Sequence, residues 1–273
     1  MARRLGSAMM ANVDSIPRIY RNTYINVKTR NAAQSLPMKP KLDIHIRPTS
    51  SLSRLELEEI WALTDRYIDT SQPYFERKLL ELPEIGLWRV RGGELAGLVS
   101  LDVYPADREG RTATIIFTSS VVTDERFRGR NLVLKTGLRL LVREKLRRPQ
   151  ATAYWFFDTF SYKSYLLAVR NLGDFWPRRD RPTPPGTAAF MDQLAQARYG
   201  EDWIADAGVV RRSGQKRLRS TTAPIEEKLL SDRDVQFFES VNPGHRDGDM
   251  LVCLAPLTLR NLLGAIGRAR LAR

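Results

Sequence analysis

The sequence has very few of the residues that build disulfide frameworks and metal sites. Its 273 residues include one cysteine, Cys253, and two histidines, His45 and His245. A single cysteine cannot form a disulfide within the chain, which is typical of proteins in a reducing compartment. Cys253 lies among apolar residues, so we expect a small buried hydrophobe rather than a nucleophile. The two histidines lack the spacing of metal ligands, and we expect no metal site.

Long apolar runs are also missing. No stretch of 18 or more apolar residues occurs, so the sequence predicts no transmembrane helix. Arg3 and Arg4 near the N-terminus are not followed by an apolar core, and we therefore expect no secretory signal. These absences favour a cytoplasmic protein. A peripheral membrane contact stays open, because the segment Leu257–Leu271 has the pattern of a basic amphipathic helix. Packing of that helix on the domain is the favoured alternative.

Positive charge is present in excess. The chain has 44 Lys and Arg against 31 Asp and Glu, a net charge of +13 and a pI near 10.2. Such a protein attracts nucleic acid, anionic lipid, phosphorylated cofactors or acidic proteins. No zinc-finger spacing, aromatic ribonucleoprotein signature or homeodomain pattern accompanies the arginines. A general arginine-rich composition explains the charge equally well.

The chain divides into three segments by composition. Residues 1–41 have no clear periodicity and predict an N-terminal arm. Residues 42–180 alternate between strand-like and helix-like patterns. The proline-rich run that begins at Arg181 predicts a boundary, and residues 181–273 then form a C-terminal extension that ends in the basic amphipathic helix. Within the extension, Arg211–Ala223 is polar and basic and predicts an exposed loop.

The middle segment has a regular series of elements. Ser53 and Glu56 form a capping-box pattern at the start of a helix, and Gly92-Gly93 separates two β-prone runs as in a hairpin. The predicted order is strand Leu42–Ile46, a helix after Ser53, helix Tyr74–Leu82, strands Gly86–Arg91, Leu95–Tyr104 and Thr112–Val122, helix Asn131–Leu146, strand Thr152–Phe157 and helix Tyr162–Asn171.

The junction between strand Thr112–Val122 and the next helix is the most informative part of the chain. A short basic turn there precedes a helix N-terminus, where free N–H groups and the helix dipole favour an anion. The turn resembles the donor-binding loop of the GNAT N-acetyltransferase superfamily, which has the pattern Gln/Arg-x-x-Gly-x-Gly/Ala. Arg128 takes the first position of this pattern, Asn131 stands where the family has Gly, and Val133 stands where it has Gly or Ala.

The order of elements in residues 42–180 also resembles the GNAT fold. The resemblance implies an α+β fold with a mixed, mainly antiparallel sheet flanked by helices. It further implies that acyl-CoA binds at the strand and the loop. The backbone groups that would contact the pantetheine arm and the thioester belong to Ser120, Val121, Val122 and Thr123. The N–H groups that would hold the phosphates belong to Arg128, Gly129, Arg130, Asn131, Leu132, Val133 and Leu134.

A second donor is compatible with the departures from the family pattern. An acyl group on the phosphopantetheine of an acyl carrier protein lacks the adenosine pyrophosphate, so the loop need not be glycine-rich. Carrier proteins are acidic, and a chain of charge +13 suits such a partner. The acceptor in either case would be an amine.

The resemblance also indicates acid and base candidates. Counting the family pattern Asn-x-x-Ala-x-x-x-Tyr from Asp158 reaches Tyr165, which is the first candidate acid, with Tyr162 second. Aromatic core residues are the alternative for both. Asp102, Asp158 and Glu125 are the carboxylates nearest the expected cleft and are candidate bases, because apolar neighbours raise the pKa of a carboxyl. A hydrogen-bonded structural role is the alternative for each aspartate.

The sequence therefore supports an acyltransferase that moves an acyl group from acyl-CoA or an acyl carrier protein to an amine. The alternative is a non-catalytic binding protein or structural subunit with the same fold. Such a protein would use its basic surface to bind nucleic acid, a membrane or a larger assembly.

Overall fold

A computed structural model of the chain describes residues 40–212, 214–219, 222, 225 and 227–261. The arm predicted for residues 1–41 lies outside these ranges except for residues 40 and 41, and the terminal helix predicted for Leu257–Leu271 lies outside them beyond Asn261. The strands are β1 (Leu42–Pro48), β2 (Ile68–Thr70), β3 (Glu84–Val90), β4 (Leu95–Arg108), β5 (Arg111–Thr123), β6 (Thr152–Thr159), β7 (Trp203–Ile204), β8 (Val209–Val210), β9 (Lys216–Leu218) and β10 (Met250–Pro256). The helices are α1 (Arg54–Asp65), α2 (Gln72–Leu80), α3 (Leu132–Arg147), α4 (Tyr162–Asn171), α5 (Pro185–Tyr199) and α6 (Arg233–Val241).

Eight of these strands form one sheet in the order β1-β3-β4-β5-β6-β10-β8-β7, and β2 pairs with β9 in a separate two-stranded sheet. Every neighbouring pair in the large sheet is antiparallel except β5 and β6, which are parallel. The α3 helix connects these two parallel strands, as such a crossover requires. The predicted fold class, a mainly antiparallel mixed sheet flanked by helices, is confirmed.

Local signals determine where the helices begin. Ser53 caps α1, its side chain accepts from the Glu56 N–H, and the Glu56 side chain accepts from the Ser53 N–H, so the predicted capping box is confirmed. The second helix starts earlier than the predicted Tyr74, because Ser71 caps it. Helix α5 starts within the proline-rich run at Pro185, since proline is compatible with the first turn of a helix.

The core lies on both faces of the sheet. On one face, Phe117 and Phe156 pack with Phe190 and Leu194 of α5. On the other face, Trp155 of β6 packs with residues of α4 and α6. Because side chains alternate along a strand, β6 contributes to both clusters, and it lies deep inside the protein.

The chain beyond residue 181 is part of the same sheet. Strand β10 pairs with β6 from Leu251↔Thr159 to Pro256↔Tyr154. It also pairs with β8, which in turn pairs with β7. The segment predicted as an extension therefore supplies the three strands β10, β8 and β7, which continue the sheet beyond β6. It also supplies β9, the partner of β2. The division of the chain at residues 41 and 181 stays a prediction.

Candidate functional site

The two parallel strands of the sheet stop pairing before they end. Pairing of β5 with β6 runs from Ala113↔Thr152 to Thr118↔Phe157. Strand β5 nevertheless continues to Thr123, and β6 continues to Thr159. Beyond Thr118, the backbone of β5 has no partner in β6. A gap between the strands results, and its backbone N–H and C=O groups are available to a ligand.

A β-bulge lies at the edge of this gap. The register of β4 and β5 shifts between Leu98↔Val122 and Ser100↔Ser119, so that Ser120 and Val121 together oppose one residue of β4. Ser120 has a φ of 48°, in the left-handed region that non-glycine residues rarely adopt. Bulges bend a strand and redirect its groups, and they are frequent next to active sites. The predicted contact positions Ser120–Thr123 therefore lie at a locally reshaped part of the strand.

The gap contains an inner cavity of about 70 Å³. Its walls are mainly apolar and include side chains of β6, α4 and the β2–β9 pair. The polar residues that line it come from β5, β6, α4 and β9, and among them are Asp158, Ser164 and Lys216. The cavity thus combines an apolar wall with one carboxylate and one amine.

An outer groove of about 540 Å³ continues from the cavity toward the start of α3. The cavity and the groove share several lining residues, among them Val121, Val122 and Val133. Four cationic side chains line the groove, and no Asp or Glu is among the described residues that line it. The cations are Arg128, Arg130, Lys163 and Arg170. Their field favours a ligand with several negative charges.

The N-terminus of α3 opens onto the same groove. Asn131 is the N-cap residue with a φ of 54°, but its side chain makes no capping hydrogen bond, and the first turn has no acidic residue. The first-turn N–H groups of this 16-residue helix therefore have no side-chain acceptor. Residues Arg128–Val133 line the groove, and the side chain of Leu134 packs against the core cluster that contains Trp155.

A buried carboxylate fixes the start of the loop. Asp124 is completely buried and accepts hydrogen bonds from the Arg126 N–H and guanidinium, each at 3.0 Å, and from Arg66 at 2.9 Å. These bonds, that to Arg126 foremost, lower the pKa of the Asp124 carboxyl well below its usual range. Because the carboxylate joins α1 to the loop, it holds the loop against the body of the protein.

Two arginines of the loop are also held in place. The guanidinium of Arg128 lies 4.9 Å from the ring centre of Tyr67, and the Tyr67 hydroxyl accepts from the N–H of Glu125 at 3.1 Å. Arg130 donates to the carbonyl of Pro40 at 2.6 Å. The N–H of Glu125 thus helps to hold the loop in place. Glu125 is not among the residues that line the cavity, where a base would have to lie.

Asp158 is the predicted base candidate that does face the inner cavity. Its two carboxylate oxygens accept from the hydroxyls of Ser119 and Tyr199, each at 2.8 Å. Burial, together with the neighbouring Asp158 charge, raises the pKa of the Tyr199 hydroxyl well above its usual value. Tyr199 therefore remains a hydrogen-bond donor, and it fixes the orientation of the carboxylate.

Asp102 lies elsewhere. It forms an ion pair of 2.5 Å with Arg198 of α5, and that guanidinium lies 3.8 Å from the ring centre of Phe117. Neither described cavity of the gap has Asp102 in its wall. The ion pair with Arg198 neutralises the Asp102 carboxylate. A structural role therefore explains the position of Asp102, and a role as the base does not.

Tyr165 is a core residue. It is fully buried, its ring packs on Phe175 and Phe238, and its hydroxyl donates to the carbonyl of Pro177 at 3.2 Å. Burial raises the pKa of the hydroxyl. Because the hydroxyl points to the loop after α4, Tyr165 lies outside the gap, contrary to its choice as first acid candidate. Tyr162 instead lines the outer groove.

Several residues at the inner cavity were not singled out from the sequence. Ser164 of α4 lines both the cavity and the groove. Lys216 comes from the basic stretch that the sequence predicts to be an exposed loop, but residues Lys216–Leu218 of this stretch form β9 and pair with β2. Tyr199, at the end of α5, does not line the cavity, but its hydroxyl donates to Asp158, which does. A composition pattern gives no signal for these positions, since only tertiary pairing brings them to the site.

Comparisons with known proteins give structural matches. No protein-family model matches the sequence, and no curated protein matches it. A ribosomal-protein-alanine N-acetyltransferase from Brucella melitensis biovar Abortus 2308 is 16% identical, with 53% of this chain and 97% of that protein covered and a TM-score of 0.35. A GNAT family N-acetyltransferase from Escherichia coli, solved in complex with CoA, is 20% identical over 54% and 78% of the two chains, with a TM-score of 0.30.

A further structural match comes from Enterococcus faecalis V583. That protein is called a probable N-acyltransferase and is 17% identical over 51% of this chain, with a TM-score of 0.34. This chain spans 37% of its length. Apart from the short strand β2, the described elements from β1 through α4 have the predicted order. In the part of the chain that the structure describes, no helix is both long and apolar enough to cross a membrane.

Replacement of Tyr165 separates a core role from an acid role. We expect Tyr165→Phe to lower the free energy of unfolding by about 0.5–1.5 kcal/mol, because one buried hydrogen bond is lost. Chemical denaturation measures this change. If Tyr165 were the acid, turnover in an acyl-transfer assay would instead fall by roughly 10²- to 10⁴-fold. Tyr162→Phe is the matched control, since Tyr162 faces the groove on the same helix.

Proposed function

We propose that this protein is an acyltransferase that uses acyl-CoA as donor and an amine as acceptor. One observation carries the proposal. The gap between β5 and β6 leads from a bulged strand with unpaired backbone groups to an uncapped helix N-terminus surrounded by four cations. A long ligand with a neutral reactive end and a polyphosphate end matches this sequence of surfaces.

The outer groove fits the phosphates of coenzyme A. The first-turn N–H groups of α3 and the cations Arg128 and Arg130 would hold the pyrophosphate. Asn131 already has the left-handed conformation that the family pattern assigns to glycine. Val133 is the departure that matters most, because its partly buried side chain lines both the groove and the cavity and narrows the passage between them.

The inner cavity suits a short acyl group. Its volume is about 70 Å³, and apolar side chains such as Phe75 and Trp155 line it. When bound, acyl-CoA supplies a thioester whose carbonyl carbon is open to attack by an amine. The free backbone groups from Ser120 to Val122 would orient this carbonyl, as preorganised donors do in acyl transfer.

Asp158 is the group best placed to take the proton of the acceptor amine. It lies in the wall of the cavity, and two hydroxyls fix its carboxylate. A carboxylate in this position removes a proton as the new C–N bond forms. Ser119 and Tyr199 act through Asp158 and are positioning residues.

An acyl carrier protein is the second candidate donor. The basic rim of the groove would attract such an acidic partner, and the bulk of Val133 would not obstruct a donor without a pyrophosphate. Stabilisation by acyl carrier protein but not by coenzyme A would favour this donor. Stabilisation by neither would favour the non-catalytic alternative, in which the basic surface binds nucleic acid or a membrane.

Coenzyme A should raise the melting temperature of the protein. A ligand that binds only the folded state at a hundredfold excess over its Kd stabilises by about 2.7 kcal/mol. The double variant Arg128→Ala with Arg130→Ala should lose most of this shift in differential scanning fluorimetry. The control, Arg147→Ala with Arg148→Ala, removes the same charge at the far end of α3. An equal loss in both variants would argue against specific binding in the groove.

Val133→Gly should strengthen coenzyme A binding by opening the passage at the start of α3. The same change should reduce stability by about 0.5–1 kcal/mol, the cost of glycine in a helix. Titration calorimetry measures the affinity. Val142→Gly is the control that measures only the loss of stability caused by glycine in this helix, because Val142 is 51% exposed on the same helix. Unchanged or weaker binding in folded Val133→Gly protein would contradict a pyrophosphate site at this position.

Asp158→Asn should lower turnover by roughly 10²- to 10⁴-fold, because the amide cannot take the proton of the amine. The thermal shift with coenzyme A should remain, since Asp158 lies away from the phosphate end. Asp102→Asn is the matched control, and its turnover per folded molecule should equal that of the unaltered protein. Full turnover of Asp158→Asn would remove this residue from the mechanism.

A further inference from the structure

Lys216 is held at the inner cavity by the pairing of β9 with β2. The hydroxyl of Thr70 donates to the Gln215 carbonyl at 2.8 Å, and the N–H of Arg219 donates to the Tyr67 carbonyl at 3.0 Å. Because side chains alternate along a strand, Lys216 and Leu218 lie on one face of β9. Lys216 lines the cavity, and Leu218 lines the groove.

The neighbouring residue of β9 behaves differently. Arg217 lies on the opposite face and forms an ion pair with Asp69 at 2.9 Å, where both side chains are exposed. The strand thus has one lysine directed to the cavity and one arginine directed to solvent. The position of Lys216 is a property of the strand register, and the register is fixed by bonds on both sides of it.

The amine of Lys216 lies in surroundings that disfavour its charge. Its Nζ is 5.5 Å from the ring centre of Phe160. Burial is the main effect and lowers the pKa of the amine. The charged groups that face it are Asp158, which raises the pKa, and Arg212 and Lys78, which lower it.

We propose that Lys216 is a self-acylation site, where Nζ takes an acyl group from a thioester held in the inner cavity. This inference rests on the proposed function, because it requires a thioester beside the β5 bulge. The lone pair of the neutral amine attacks the thioester carbonyl carbon. The C–N bond forms, the C–S bond breaks, and the electron pair leaves with sulfur. The proton released by the nitrogen ends on the thiolate, which gives free thiol and an amide.

Self-acylation of Lys216 would occur once per protein molecule. The amide is neutral and stable, and the acyl group would fill much of a cavity of about 70 Å³. The modified protein would therefore accept a second acyl donor poorly. In the unmodified protein, the same cavity is open to the donor, so the state of one lysine would control access to the site.

The test is incubation of the folded protein with acetyl-CoA, followed by intact mass measurement and peptide mapping. We expect an increase by one acetyl group, located on Lys216. Lys216→Arg keeps the positive charge but has no nucleophilic amine, and it should lose the adduct. Lys78→Arg is the matched control and should keep it, since Lys78 forms an ion pair with Glu81 outside the cavity. Urea-unfolded protein should show no preference for Lys216.

The rate of adduct formation should also depend on pH. Because the folded-state pKa of Lys216 is lowered, the rate should rise with pH and reach its plateau below the pKa of about 10.4 of a free lysine. An adduct on other lysines, or none, in protein that coenzyme A still stabilises would overturn the proposal and leave the proposed function intact. No adduct together with no stabilisation would overturn both.

Discussion

The structure depends on two parallel strands that separate before they end. A buried backbone amide without a partner is costly, so a sheet that opens needs another way to satisfy its groups. Here the bulge at Ser120 redirects the strand, and the loop that follows is fixed by the buried Asp124 carboxylate. The opening is thus a stable feature of the folded chain. The inner cavity and the outer groove are both arranged along it.

The charges along this opening are separated by sign. Cations surround the outer groove, while the carboxylate of Asp158 lies at the inner end, held by hydroxyls of β5 and α5. A ligand with its anionic end outside and its neutral end inside is favoured in one orientation only. The C-terminal third of the chain contributes to this selectivity, because Tyr199 and Lys216 both belong to it. The site is complete only when β10 has joined β6 and β9 has joined β2.

Local signals in the sequence predicted much of the fold. The capping box at Ser53 and the bounds of Tyr162–Asn171 depend on neighbouring residues, and both are confirmed. The site was harder to predict, because its residues meet over long sequence distances. The helix pattern could not distinguish Tyr162, which lines the groove, from Tyr165, whose hydroxyl partner is in the next loop. Likewise, the partner of Asp102 is Arg198, which is 96 residues away, and nothing in the periodicity of β4 indicates it.

The position of β10 in the middle of the sheet has a consequence for the nascent chain. Strand β6 is synthesised long before β10, its antiparallel neighbour, and until then one edge of β6 has no partner. At ribosomal rates this interval is on the order of ten seconds. An apolar strand with an open edge can pair with another chain. Until β10 is made, the nascent chain is therefore exposed to intermolecular pairing along this edge of β6.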